Sequence, residues 1–331
     1  MKLASIETVA ELKNHSNADR LAIAKILGWQ TVVKRDEFKV GDRGVFIVID
    51  TILPRTPWSE FLVDVNRPDR RIRLKTAKIR GEYSQGLFLP ISVLPESVQG
   101  WQEGVDVGGE LGITKYEKEL SLALSGQARS TFPTHLAPKT DEDNGLSNLD
   151  IVAHVLKHPV YITKKMDGSS CTVIVEGGQI SQVCSRNLSL VDQPGNAFWH
   201  AAKKLKITKT IPDCVIQGEL MGPGVQGNQL ELTEPEIFVF NVFGANHAPM
   251  AWPGMSNLAV DIGANTVPLI GFCEAGKYQT TDQLQALADA QKLPNGKPAE
   301  GIVVRIDPPE LFGNGRVAGF KIVSRLYKDT D

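Results

Sequence analysis

Lys165-Met166-Asp167-Gly168-Ser169-Ser170 follows one strand-like apolar run and precedes another. The spacing predicts a lysine at a strand-to-turn junction, with an aspartate and a glycine just beyond it. An amine held there can attack phosphorus once it has lost its proton. A free lysine has a pKa of about 10.4, so partial burial beside a cation is expected to favour the neutral form. Gly168 lets the backbone come close to a phosphate, and Asp167 can hold either a metal ion or a ribose. Many surface turns share this pattern, and the run decides nothing alone.

Further residues with matching chemistry follow in order. Ser185-Arg186-Asn187 ends the second strand after the lysine, where Arg186 can reach a phosphate or ribose. Gln217-Gly218-Glu219-Leu220 places a carboxylate at the end of an apolar strand. Phe238-Val239-Phe240-Asn241 offers a ring for a base or for the core. Glu300-Gly301-Ile302-Val303-Val304 sets a carboxylate before a buried strand, and Phe320-Lys321-Ile322 adds a second lysine. Together these supply a nucleophile, a base platform, oxygen ligands for a hard cation and cations for phosphates.

The elements that must position them fall into two parts. A chain of 331 residues exceeds one typical domain. Residues 1–125 read as short strands separated by turn signals, at Trp29–Val33, Gly44–Ile49, Arg71–Lys75 and Leu87–Pro90, which suggests a barrel or sandwich. Residues 126–147, rich in Ser, Pro, Thr, Asp and Gly, read as a linker and the entry to a second domain. Over 148–331, helices are expected at Ile151–Leu156 and Asn196–Leu205. Strands are expected at Val160–Thr163, Cys171–Val175, Val215–Gly218, Ile237–Val242, Gly301–Ile306 and Gly319–Ile322. That describes an α+β domain with mostly antiparallel sheet.

Composition sets outer bounds. The net charge of -2 excludes a bulk polycation, so any nucleic-acid affinity has to come from patches. One such patch runs from Arg67 to Arg80 and includes Arg71, Arg73, Lys75 and Lys78 against a single Asp69. A solvated sheet edge and a nucleic-acid groove are both open readings. Tyr83 and Phe88 are candidates for base stacking, with a core role favoured for Phe88. Cys171, Cys184, Cys214 and Cys273 are scattered without a C-x-x-C pair, which fits free thiols in a reducing compartment. The sequence shows no secretory signal and no run long enough to cross a bilayer, so a soluble cytoplasmic protein is expected.

The ordered blocks resemble the covalent nucleotidyltransferase superfamily of DNA ligases, RNA ligases and capping enzymes. The resemblance implies that Lys165 becomes adenylylated. It gives Arg186 and Glu219 ribose- and phosphate-side contacts, Phe240 the ring on the base, Glu300 a metal-side role and Lys321 a phosphate. Lys164, Asp167 and Gly168 complete the implied nucleotide-binding set, and Asp167, Glu219 and Glu300 the implied metal set. His15–Leu21, Gly28–Gln30, Val40–Asp42 and Lys78–Leu87 are similar to tRNA-binding OB folds. An OB module before the transferase domain resembles the nick-sealing RNA ligases of the Deinococcus and Naegleria type, as do Leu111–Glu117 and Lys139–Glu142. DNA ligases and capping enzymes place that module after the transferase, whereas here ten residues follow Lys321.

The resemblance therefore implies an N-terminal all-β OB-like barrel and a C-terminal α+β adenylyltransferase domain. ATP and Mg2+ or Mn2+ are the implied cofactors, and RNA or an RNA-containing nicked duplex the implied partner. Arg71, Arg73, Lys78 and Arg80 would carry the nucleic-acid contacts. No membrane and no obligate protein partner is expected. A capping-type guanylyltransferase and a non-catalytic RNA- or nucleotide-binding protein are the alternatives. Two positions depart from the pattern: Val323 where a second lysine is common, and Asn144 where an arginine is.

Overall fold

The structure, a computed structural model, describes residues 2–64, 67, 69–116, 127–244, 246–313 and 315–327. The chain divides into two compact units, Met1–Glu119 with Leu146–Leu149, and Leu120–Gly145 with Asp150–Asp331. Glu117, Gly126 and residues 328–331, which bound expected segments, lie outside the described residues.

In the first unit, Trp29–Lys34, Leu21–Ile26, Ala4–Asn14, Arg43–Ile47 and Leu87–Pro90 lie side by side in that order, all antiparallel. Leu21–Ile26 and Trp29–Lys34 bury every second residue, the pattern of a sheet covered on one face. Ala4–Asn14 serves two partners. Its first half pairs with Arg43–Ile47 and its second with Leu21–Ile26, with a register shift between Val9 and Glu11. Such a bulge bends and twists a strand and helps a small sheet coil on itself. Ile6, Val45, Ile47, Leu53, Ile72 and Leu74 fill the interior. Phe88 packs on Phe38 with ring centroids 4.8 Å apart, a core residue.

The basic run is divided by this geometry. Ile72–Leu74 alternates, so Ile72 and Leu74 point inward and Arg73 outward. Arg73 is nevertheless not available to a phosphate. Its side chain is only 12% exposed, bonded to Asp50 at 2.8 Å, and its guanidinium carbon lies 3.5 Å from the Tyr116 ring centroid. A charge expected to face nucleic acid is committed inside its own unit. Arg71, Lys78 and Arg80 are outside the core. The Lys78 ammonium lies 5.3 Å from the Tyr83 ring centroid, and Arg80 takes φ 47° at the turn of the Ala77–Ile79 and Glu82–Ser84 hairpin.

The second unit holds two sheets. The larger runs in the order Ala128–Thr131, Leu188–Leu190, Gln179–Cys184, Ser169–Glu176, Cys214–Met221, Glu236–Gly244 and Asn265–Thr266. The smaller runs Asp143–Asn144, Gly319–Val323, Gly301–Ile306, Val160–Lys165 and Leu269–Cys273. The pairings are antiparallel except for the short pairs at Asp143–Asn144 and Asn265–Thr266. The segment read as a linker therefore contributes a strand to each sheet. Helices Ala197–Lys203 and Trp252–Asp261 cover the larger sheet through Phe198, Ala202, Met255 and Ala259. Thr281–Ala290 begins with a reciprocal cap between Thr280 and Gln283. All four cysteines are free, three of them buried. Among the described residues, no helix is long and apolar enough to cross a membrane.

Because Arg73 is only 12% exposed, paired with the half-exposed Asp50 and set over the Tyr116 ring, Arg73→Ala should lower stability by about 1–2 kcal/mol. Exposed Arg71→Ala should stay within about 0.5 kcal/mol of the parent. Urea unfolding of the full chain measures both, and equal midpoints would show that the Arg73 contacts contribute nothing.

Candidate active site

Strand register assembles the site. Val160–Lys165 ends at Lys165, and Met166-Asp167-Gly168 then crosses from the smaller sheet to Ser169–Glu176 of the larger. Lys165 pairs with Gly301, which brings Glu300 beside it. Ser170 pairs with Glu219, which brings that carboxylate to the same crossing. Lys321 pairs with Val303, and Val303 with Thr163, so Lys321 and Lys165 share one face of the smaller sheet. Lys164 alternates to the other face, where its ammonium donates to the Lys292 carbonyl at 2.6 Å. The register therefore separates Lys164 from the other expected nucleotide-binding residues.

Two glycines make the approach possible. A Cβ on Gly168 would lie 2.2 Å from the Leu220 carbonyl oxygen and 2.5 Å from the Met221 sulfur. A Cβ on Gly301 would lie 2.1 Å from the Ile322 carbonyl oxygen. Gly168 is thus required by neighbouring strand backbone, where the sequence had suggested a phosphate. Its N–H donates to Glu219 Oε1 at 3.0 Å, and its carbonyl accepts from Gln226 at 3.0 Å.

Lys165 Nζ donates to Glu300 Oε2 at 2.7 Å, with the two side chains 21% and 17% exposed. Burial opposes the charge on Lys165, but Glu300, Glu219 and Asp167 outweigh it and hold the ammonium above the ordinary lysine range. The expected depression by a nearby cation is reversed here, because carboxylates are the dominant neighbours. Glu219 is pushed up to about 8, mainly by burial; Lys165 and the Gly168 N–H pull it down, while Glu300 and Asp167 add to the rise. Burial also raises Glu300, against the pull of Lys165. Lys321 moves the opposite way from Lys165, lowered by burial and by the Lys165 charge.

The surrounding polar contacts include residues that sequence reasoning missed. The Tyr327 hydroxyl donates to Asp167 and accepts from Gln229 at 2.7 Å. Arg186 pairs with Asp141, Arg305 with Glu142, and Arg316 with Asp143 at 2.8 Å. Thr140 and Ser170 hydroxyls are 2.5 Å apart. Asn144 pairs with Lys321 in the short parallel ladder. Phe240 is the extra residue of a bulge opposite Gln217 and Gly218, and it is buried in the core 5.4 Å from the Arg305 guanidinium carbon. Phe238 is partly exposed and pairs with Glu219 on the site side. Tyr327 carries no signal in the sequence, because a lone tyrosine in a polar stretch has no spacing to read.

Residues 158–323 match the family model for RNA ligase, and residues 3–91 match a model described as an OB-fold domain. The full chain is also similar to solved structures of Naegleria gruberi RNA ligase. One, with PPi, is 31% identical with TM-score 0.83, covering 99% of this chain and 98% of that one. A mutant with ATP and Mn is 31% identical with TM-score 0.84, covering 98% of each chain. Comparison with curated proteins gave no match. The chain belongs to the RNA ligase family. As an RNA ligase it has its OB fold in the first unit and its α+β domain in the second, with Lys165, Glu219, Glu300 and Lys321 inside the stretch matched as RNA ligase. Tyr327 and the acidic residues Asp141–Asp143 lie outside that stretch.

The state of Glu219 has a consequence for stability. Its folded-state value of about 8 lies above the ordinary 4.5. The folded chain therefore holds a proton that the unfolded chain has lost between those values, and stability falls as pH rises through that window. Glu219→Gln, which copies the protonated form, should melt close to the parent at pH 5 and above it at pH 9. Melting curves at both values check this, and an unchanged difference would show that Glu219 is not held protonated.

Proposed function

We propose that this ligase seals RNA ends with 3′-hydroxyl and 5′-phosphate termini through AMP carried on Lys165. The observation that carries the proposal is the Lys165–Glu300 contact at the crossing between the sheets, with Glu219 and Asp167 beside it. Once its ammonium proton has passed to solvent, Lys165 Nζ would attack the α-phosphorus of ATP, forming an N–P bond while the bond to the bridging oxygen breaks and pyrophosphate leaves. An oxygen of a 5′-phosphate would then attack the AMP phosphorus, forming a phosphoanhydride as the N–P bond breaks and the Lys165 amine leaves. A 3′-hydroxyl oxygen would attack the phosphorus of the 5′-phosphate, forming the phosphodiester and releasing AMP.

The donor set fits a hard divalent cation. Glu219 and Glu300 are both raised by burial and by neighbouring carboxylates, so each would release its proton more readily with a dication beside it. Asp167, Glu219 and Glu300 would hold magnesium or manganese through oxygen. Among the described residues these three do not gather their oxygens within 4.8 Å of one another, which suits attachment through water. A bound dication supplies charge neutralisation at the α-phosphate. Glu300 would in turn release its grip on the Lys165 proton as its charge is shared. Lys321, whose own proton is held less tightly than usual, would bind phosphate oxygen beside it. Arg186 would reach the ribose or a phosphate from its exposed pair with Asp141. The choice of nucleotide and metal is supported by the similar Naegleria gruberi RNA ligase mutant, solved with ATP and Mn.

Phe240 would support the adenine from within the core, with its ring held by the bulge. Arg71, Lys78 and Arg80 would meet the RNA backbone, and Tyr83 would offer a ring. OB folds bind strands through such mixed basic and aromatic surfaces.

Labelling with ATP tests the nucleophile. The parent should retain label from ATP and none from GTP, Lys165→Ala should retain none, and Lys164→Ala should still be labelled. Labelling of Lys165→Ala, or transfer of GMP, overturns the assignment.

The basic surface has its own test. Neutralising Arg71, Lys78 and Arg80 together should spare lysine labelling and weaken RNA binding. The slope of log affinity against log salt should become shallower, because fewer counterions are released. An unchanged slope would place the phosphate contacts elsewhere.

A further inference from the structure

A second side-chain cluster lies in the α+β unit outside the site described above. His154 sits in the helix Leu149–Val155, and His158 follows one turn later. Backbone bonds from Lys157 to the His154 carbonyl and from His158 to the Val155 carbonyl, both 3.1 Å, keep the chain turning past the helix end. The two imidazoles are thereby brought to one side, with ring centroids 5.2 Å apart. Glu310 approaches from a distant segment, its carboxylate 3.8 Å from His158 Nδ1. One ligand atom from each of the three residues lies within 4.8 Å of the other two, and among the described residues no other group of three His, Cys, Asp or Glu does so.

We infer that His154, His158 and Glu310 form a binding site for a borderline transition-metal ion, of the chemistry of Zn2+. Two imidazoles and a carboxylate are ligands that zinc takes, and three protein ligands leave a fourth position for water. Ligand atoms around tetrahedral zinc stand about 3.3 Å apart, given bonds of about 2.0–2.1 Å. The observed spacing closes to that by small side-chain rotations, since His158 and Glu310 are 35% and 50% exposed and have room to turn. Imidazole selects this class of ion over magnesium and calcium, which prefer oxygen. The cluster is therefore chemically distinct from the all-oxygen set around Lys165.

The site would brace one particular loop. The segment after Gly301–Ile306 doubles back, with Leu311 bridged to Val317 and the Ala318 N–H bonded to the Glu310 carbonyl at 2.7 Å. Arg316 on the returning arm donates to the Asp141 carbonyl at 2.6 Å and to Asp143 at 2.8 Å. An ion held by His154, His158 and Glu310 would tie the end of a helix to this loop, across a wide gap in sequence. That would hold Arg316 against the acidic segment that also pairs with Arg186.

The test uses the full chain stripped of metal, with excess magnesium present. Zinc is titrated against a chromophoric chelator for the parent, for His154→Ala with His158→Ala, and for Glu310→Gln. The parent should bind one zinc that magnesium does not displace. The double variant should lose this binding, and Glu310→Gln should bind at least about tenfold more weakly, since even outer-shell changes cost that much. Zinc should also raise the melting temperature of the parent and leave that of the double variant unmoved. All three proteins should melt alike in chelator, because the altered side chains are at the surface. Equal zinc affinity and stoichiometry in parent and double variant would overturn the proposal, as would a parent that binds none.

Discussion

The contact between Lys165 and Glu300 is the point on which the rest of the α+β unit turns. It exists because two antiparallel strands are in the register that sets Lys165 opposite Gly301. A slip by one residue would send Lys165 to the opposite face and bring Lys164 to the carboxylates. The smaller sheet is pinned against such a slip by Gly301, which no larger residue can replace without striking Ile322. It is pinned again by Lys164, whose ammonium is held on the outer side by Lys292. The larger sheet does the equivalent through Gly168, where the chain crosses close to Leu220 and its N–H meets Glu219.

A second layer of charge fixes the segment that passes beside this crossing. Asp141, Glu142 and Asp143 are consecutive, yet each pairs with an arginine from a different part of the chain. Arg305 comes from a central strand of the smaller sheet and is only 2% exposed. A guanidinium so buried needs its partner, because removing one member of a buried pair costs about 3–5 kcal/mol. Glu142 thus anchors the segment through its buried pair with Arg305, while Arg186 and Arg316 hold the residues on either side of it in sequence. The three pairs specify where the strand Asp143–Asn144 lies, and hence where it meets Lys321.

Much of this was legible in the sequence, and the failures have physical causes. Strands with clean apolar runs were readable almost to the residue, as Gly301–Ile306 was, because burial on both faces leaves a continuous signal. Ala4–Asn14 was not, since a bulge interrupts its alternation and Glu7 is buried with the Ser5 hydroxyl at 2.6 Å. A charged letter at a core position reads as solvent. The helix Thr281–Ala290 carries a local signal in the sequence, the Thr280 and Gln283 cap. Residues 126–147 read as linker because their composition is polar, but their carboxylates are counter-ions to arginines far along the chain. Arg73 misled for the same reason. Its partners Asp50 and Tyr116 are distant in sequence, and a run of like charges does not show which members are already paired.

The two site lysines show what this environment does to one chemical group. Both are largely removed from water, which alone would lower both. Lys165 faces Glu300, Glu219 and Asp167, and their attraction exceeds the cost of burial. Lys321 also has carboxylates near it, but it feels the charge of Lys165 in addition, and burial prevails. The outcome is two amines a short way apart on one sheet face, shifted in opposite directions, the arrangement in which neighbouring groups take different roles. A protonated amine is not a nucleophile, so on the proposed mechanism the carboxylates that hold the Lys165 proton must first turn to a cation.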